Sequence, residues 1–152
     1  MTYEVDIVRV PEQALLVLRT SGPRRERRDD EARLRELAAQ AGLSPAGPVA
    51  ARLPAPGRSD AAGASELCLP VAPRADGSVP DRVGEARGEL VPAHPALRAV
   101  HEGVATDTGD AWRAVEEARA ALGYTASGPA IEVYVRDAGD ASLTELLLPY
   151  AN

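Results

Sequence analysis

The sequence predicts an α+β fold, in which two tandem β-α-β-β units form one antiparallel sheet with two helices on one face and a cleft on the other. Three observations lead there. Glycine and proline punctuation recurs in order: Val10-Pro11 returns 81 residues on as Val91-Pro92, Gly22 as Gly103, Gly42 as Gly123, and Gly47-Pro48 as Gly128-Pro129. SELCLPV, from Ser65 to Val71, returns as TELLLPY, from Thr144 to Tyr150, at a spacing of 79. Gly and Pro mark loops, so shared spacing means shared loop positions. Finally, each repeat places one segment of helical period among alternating ones. One half alone would leave one face of its sheet bare, so the halves must join.

The elements follow in order. Tyr3 to Val10 alternates and reads as a strand, and Ala14 to Thr20 is a Leu- and Val-rich run. Asp29 or Asp30 is placed to cap a helix with Leu34, Leu37, Ala38 and Ala41 on its apolar face, which Gly42 ends. Val49 to Leu53 and Glu66 to Val71 read as strands. Pro54 to Ala64 and Pro73 to Gly88, rich in Pro, Gly, Ala and Asp, read as a surface loop and an inter-unit linker. The second unit gives a strand around Leu97 to His101. Its helix, capped by Thr108 or Asp110, carries Ala111, Val115, Ala118 and Leu122 on one face and stops at Gly123. Strands at Ile131 to Val135 and Leu143 to Leu148 complete it. The expected organisation is one domain over 1–152, with repeats at 1–72 and 89–152 and a linker at 73–88.

Composition narrows the function classes. The 152 residues carry 23 acidic and 17 basic groups, a net charge of −6, which argues against a broad nucleic-acid surface. The basic run PRRERRDD (Pro23 to Asp30) reads as a solvated loop and helix start. Cys68 is the single cysteine, which rules out an internal disulfide, and with only two histidines a structural zinc site is not expected. The start MTYEVDIV has neither the basic nor the apolar region of a signal peptide, and no stretch approaches the roughly 20 apolar residues of a membrane span. The expectation is a cytoplasmic, acidic monomer without cofactor or metal and without a membrane role.

A few side chains stand out as candidates. Glu145 interrupts an apolar strand, and desolvating a carboxylate is costly unless it is paired. It is either ion-paired or the charged floor of an apolar pocket. Glu66 is its repeat mate, for which a structural role is favoured. Glu132 and Tyr134, two apart in Ile-Glu-Val-Tyr-Val, share one strand face, and their repeat counterparts are Ala51 and Leu53. A glutamate beside a phenol is suited to holding a cation or polarising a water. Trp112 is either core or pocket wall. His101 reads as a hydrogen-bonded loop residue, His94 has no evident partner, and Cys68 reads as a small buried hydrophobe. No P-loop, dinucleotide fingerprint or Ser-His-Asp arrangement is present.

These residues resemble a known family. Ala-Gly-Leu-Ser-Pro-Ala-Gly-Pro at 41–48, Glu-Leu-Cys-Leu-Pro-Val at 66–71, His-Glu-Gly at 101–103, Ala-Trp-Arg-Ala at 111–114, Gly-Pro-Ala-Ile-Glu-Val-Tyr at 128–134 and Thr-Glu-Leu-Leu-Leu-Pro at 144–149 are similar to the GyrI-like small-molecule-binding domain, the effector-binding domain of AraC-type and MerR-type regulators. The resemblance spans nearly the whole chain and implies the tandem fold read above. It implies binding of amphipathic, cationic or aromatic small molecules in a central cleft with an acidic floor, with Glu145 and Glu132 at the acidic positions and Tyr134 at the aromatic one; Trp112, read as a pocket wall, completes the candidate ligand-binding set. Some relatives hydrolyse cyclopropane-bearing alkylators, which would cast Glu132, Glu145 and Tyr134 as catalytic; others modulate DNA gyrase as protein partners. The sequence departs from the family at Ala50, Leu53 and Ala105, where relatives often carry rings. With the first strand at Tyr3, no helix-turn-helix and no direct nucleic-acid contact are expected.

Overall fold

The computed structural model describes residues 2–20, 27–53, 65–105 and 107–151. Among these, ten strands and two helices run in the order β1 (Asp6–Val10), β2 (Gln13–Thr20), α1 (Arg27–Gln40), β3 (Ala50–Leu53), β4 (Ser65–Val71), β5 (Arg82–Val83), β6 (Ala86–Val91), β7 (His94–Glu102), α2 (Gly109–Leu122), β8 (Thr125–Ala126), β9 (Ala130–Arg136) and β10 (Leu143–Ala151). The strands form one antiparallel sheet, ordered β1-β7-β10-β9-β3-β4-β2-β6-β5, with β8 on the end of β10. The α+β class and the two helices are as the sequence predicts. Gly22 and the stretch 54–64 lie outside the described residues.

The strand order is symmetric about its centre. β3 and β9 pair at the centre, from Ala50↔Val133 to Leu53↔Ala130. Outward from them, β9, β10, β7 and β1 mirror β3, β4, β2 and β6. Gly42 and Gly123, equivalent positions, close their helices in the same left-handed conformation, at φ +69° and +73°.

Each half is β-β-α-β-β rather than β-α-β-β, and its first strand leaves home. β1 pairs with β7 of the second half, and β6 pairs with β2 of the first. The segment 73–88, expected as a linker, holds β5 and the start of β6. Charges at Arg87 and Glu89 and a glycine at 88 hide the strand pattern there. The crossed strands also bend the sheet. β1 and β2 stand six strand steps apart, about 29 Å if flat at roughly 4.8 Å per step. Only Pro11 and Glu12 join them, reaching about 11 Å at most. The sheet must therefore curl, and the equally short β6–β7 link repeats the constraint on the other side.

The core lies between the sheet and the helices. Leu16, Leu18, Leu69, Leu146 and Leu148 meet Leu34, Leu37 and Ala38 of α1 and Ala111, Trp112 and Val115 of α2. Leu122, expected on the apolar face of α2, is exposed at its last turn. α1 already runs from Arg27, so Asp29 and Asp30 sit in its first turn, where their charge favours the helix dipole, rather than at a cap. No helix among the described residues is long and apolar enough to cross a membrane.

Candidate functional site

Strand alternation divides the sheet side chains between two faces. On β2, Ala14, Leu16 and Leu18 join the core under the helices, while Leu15 and Val17 join Cys68 in a separate cluster. On β10, Leu146 and Leu148 face the helices, while Leu147 packs with Val10 and Ala96 on the other side. The curled sheet makes this second side a hollow of about 440 Å³, within the roughly 300–1,000 Å³ of small-molecule sites. Leu15, Ala50, Ile131, Val133 and Leu147 supply its apolar floor.

Glu145 lines this hollow. One of its oxygens accepts a hydrogen bond from Arg98 Nε at 2.5 Å, across the β7–β10 pair. The carboxylate at the floor is therefore already paired. A second charged group closes another part of the hollow: Arg52 donates to both oxygens of Glu89, at 2.8 and 3.1 Å, and reaches Glu66 at 3.4 Å. Hydrogen bonding from Arg52 holds the Glu89 carboxyl below the usual carboxylate range. Glu66 also pairs with Arg87 at 2.7 Å. Cys68 lines the hollow as well, but burial pushes its thiol up to about 12, so it is no nucleophile near neutral pH.

Glu132, Tyr134 and Trp112 are elsewhere. Glu132 pairs in register with Leu146, a helix-facing residue, and is fully buried beneath α2. Its Oε2 accepts from Trp112 Nε1 at 2.8 Å and Thr108 Oγ1 at 2.9 Å, and its Oε1 from Tyr134 O–H at 3.2 Å. Thr108 does hold the N-cap position, yet its hydroxyl makes no cap and serves Glu132 instead. The Arg27 guanidinium lies 3.9 Å from the Tyr134 ring centroid. The cluster thus ties α1 and α2 to the central strand β9. The sequence pooled Glu132, Tyr134 and Trp112 with Glu145 in one cleft; the structure puts them on opposite faces of the sheet, so the two carboxylates do not converge on one reacting atom.

The other candidates have plain settings. His101 is buried; its Nε2 donates to Val104 O at 3.0 Å, which leaves Nδ1 to accept from Tyr3 O–H, also at 3.0 Å. His94 lines the hollow and engages Pro92 O through Nδ1. Of the three positions without the family's rings, Ala50 opens the hollow, whereas Leu53 and Ala105 pack on the helix side. Arg98 and Arg52 were missed as site residues. Their signal was present, since each is a charge within an apolar strand, as Glu145 is.

Among solved structures, the C-terminal domain of EcmrR superposes with a TM-score of 0.83, covering 100% of this chain and 99% of that one at 16% identity. The fold is that of the EcmrR C-terminal domain. A hydrolase from Listeria innocua shares it at a TM-score of 0.72 and 12% identity, over 97% of this chain and 92% of that one. SAV2435, solved bound to tetraphenylphosphonium, matches at 0.51 and 12%, over 100% and 95%. No protein-family model matches the sequence, and no curated protein does. The EcmrR likeness agrees with the GyrI-like resemblance in architecture. At such identities it speaks for fold and not for chemistry.

Proposed function

We propose that this chain binds amphipathic small organic molecules in the open-face hollow and that a cationic group of the ligand is directed to Glu145. The observation that carries this reading is the hollow itself: about 440 Å³ with an apolar floor, and Glu145 as its one carboxylate among Arg9, Arg52 and Arg98. Such a site buries a ligand's apolar body and orients it by a few polar groups, of which Glu145 is the one that attracts a cation. The tetraphenylphosphonium in SAV2435, a hydrophobic cation held by a protein of this fold, supports the ligand class. Hydrolysis by paired acids has less support, because Glu132 and Glu145 point to opposite faces.

The test is a fluorescence titration with Nile red, an uncharged amphiphile that brightens in apolar surroundings. Wild type is expected to saturate. Ala50→Trp, which fills the hollow, is expected to weaken binding by about tenfold or more, while overpacking strain stays within about 1–3 kcal/mol. A folded Ala50→Trp variant with unchanged affinity would place the dye elsewhere and defeat the reading.

A further inference from the structure

The Arg98 guanidinium occupies the carboxylate that the hollow presents. Arg98 and Glu145 sit diagonally on neighbouring strands, Glu145 opposite Val100 and Arg98 opposite Leu147, so their side chains share the open face. Arg98 spends its Nε on Glu145, yet it also lines a second depression of about 340 Å³ at the β1–β7 edge. That depression is acidic: Glu4, Asp6 and Glu102 line it with Arg98. Asp6 stands directly opposite Arg98 in the β1–β7 register, and its Oδ2 is 3.9 Å from Arg98 Nη1. Arg98 is a third exposed, as Glu145 is a quarter, so neither is locked in a dry interior. One flexible cation therefore stands between two acidic anchors, one inside the hollow and one outside it.

We propose that Arg98 is a specificity-determining tethered cation. It holds Glu145 while the hollow is empty, and it swings to the acidic edge when a ligand's cationic head takes its place. This rests on the binding reading above and adds a competitor to it. A cation must displace Arg98, which costs affinity; Asp6 and its acidic neighbours lower that cost by receiving the guanidinium. Uncharged amphiphiles make no such exchange.

The experiment measures affinity for tetraphenylphosphonium relative to Nile red, a ratio that cancels general damage to the hollow. Arg98→Gln is expected to raise the ratio by up to about fivefold, the upper range for one partly exposed ion pair. Glu145→Gln is expected to lower it, and in Arg98→Gln/Glu145→Gln the gain is expected to vanish. Asp6→Asn is expected to lower the ratio in wild type but not in Arg98→Gln; an equal loss in both would mean a general electrostatic effect and would remove the swing. A ratio unchanged or lowered by Arg98→Gln overturns the inference and leaves the binding reading intact. If neither probe binds any variant, both fall together.

Discussion

A fully buried carboxylate persists at Glu132 because it is wrapped in donors: the Trp112 indole, the Thr108 hydroxyl and the Tyr134 phenol all point at it. The reverse also holds for Trp112 and Thr108, which are buried and donate to that acceptor. Glu132→Leu strands both at once, at about 1–3 kcal/mol for each. Urea unfolding of this variant should show a loss of roughly 2–5 kcal/mol, while Glu132→Gln, which keeps an acceptor oxygen, should lose less. A Glu132→Leu protein as stable as wild type would mean that the cluster is not a structural tie. This residue also marks the limit of sequence reading. Alternation states that Glu132 and Tyr134 share a face, but not which face is the core. The usual assumption sends the polar face outward. Here β9 is covered on one side by helices and lines a hollow on the other, so its apolar residues Ile131 and Val133 face the hollow and its polar ones face the core. Glu145 was legible because a carboxylate among leucines stands out; Arg98, equally anomalous in its own strand, gained meaning only from the register that brings the two together.

At the scale of elements, the helices and most strands were legible from period and punctuation, and Gly42 and Gly123 end their helices where the repeat demands. β6 was not. Its open-face positions carry Arg87 and Glu89, whose pairing with Glu66 and Arg52 stands in for apolar burial. Position 88 explains the glycine. A Cβ there would lie 1.9 Å from the backbone oxygen of Pro80, and the Gly88 amide donates to Asp81 O at 3.0 Å. Gly88→Ala must therefore push the segment before β5 away from β6. The expected cost is about 1–3 kcal/mol, with faster amide exchange along β6. Gly109, at the first position of α2, has open space around its Cβ, and Gly109→Ala is expected to be neutral or stabilising by up to about 1 kcal/mol. Equal effects at the two sites in denaturant unfolding would contradict the close approach at Gly88.

At the scale of the molecule, duplication, strand exchange and curvature are one fact seen three ways. The two-residue links after β1 and β6 carry each first strand to the other half, and so pull the ends of a nine-strand path toward each other. The hollow is the inner surface of that bend. A cleft opposite the helices was foreseeable from the repeat; its closure was not, because exchanged strands leave no signature in local periodicity. The binding proposed above rests on this shape, since covering an apolar floor with a ligand's apolar body is favourable. The most direct test is to follow backbone amide resonances of the whole protein while tetraphenylphosphonium is added. Shifts centred on Ala50, Cys68, Val133 and Glu145 are the expected result. Shifts centred on Thr108, Trp112 and Glu132 beneath α2, or no shifts at all, would contradict binding in the hollow.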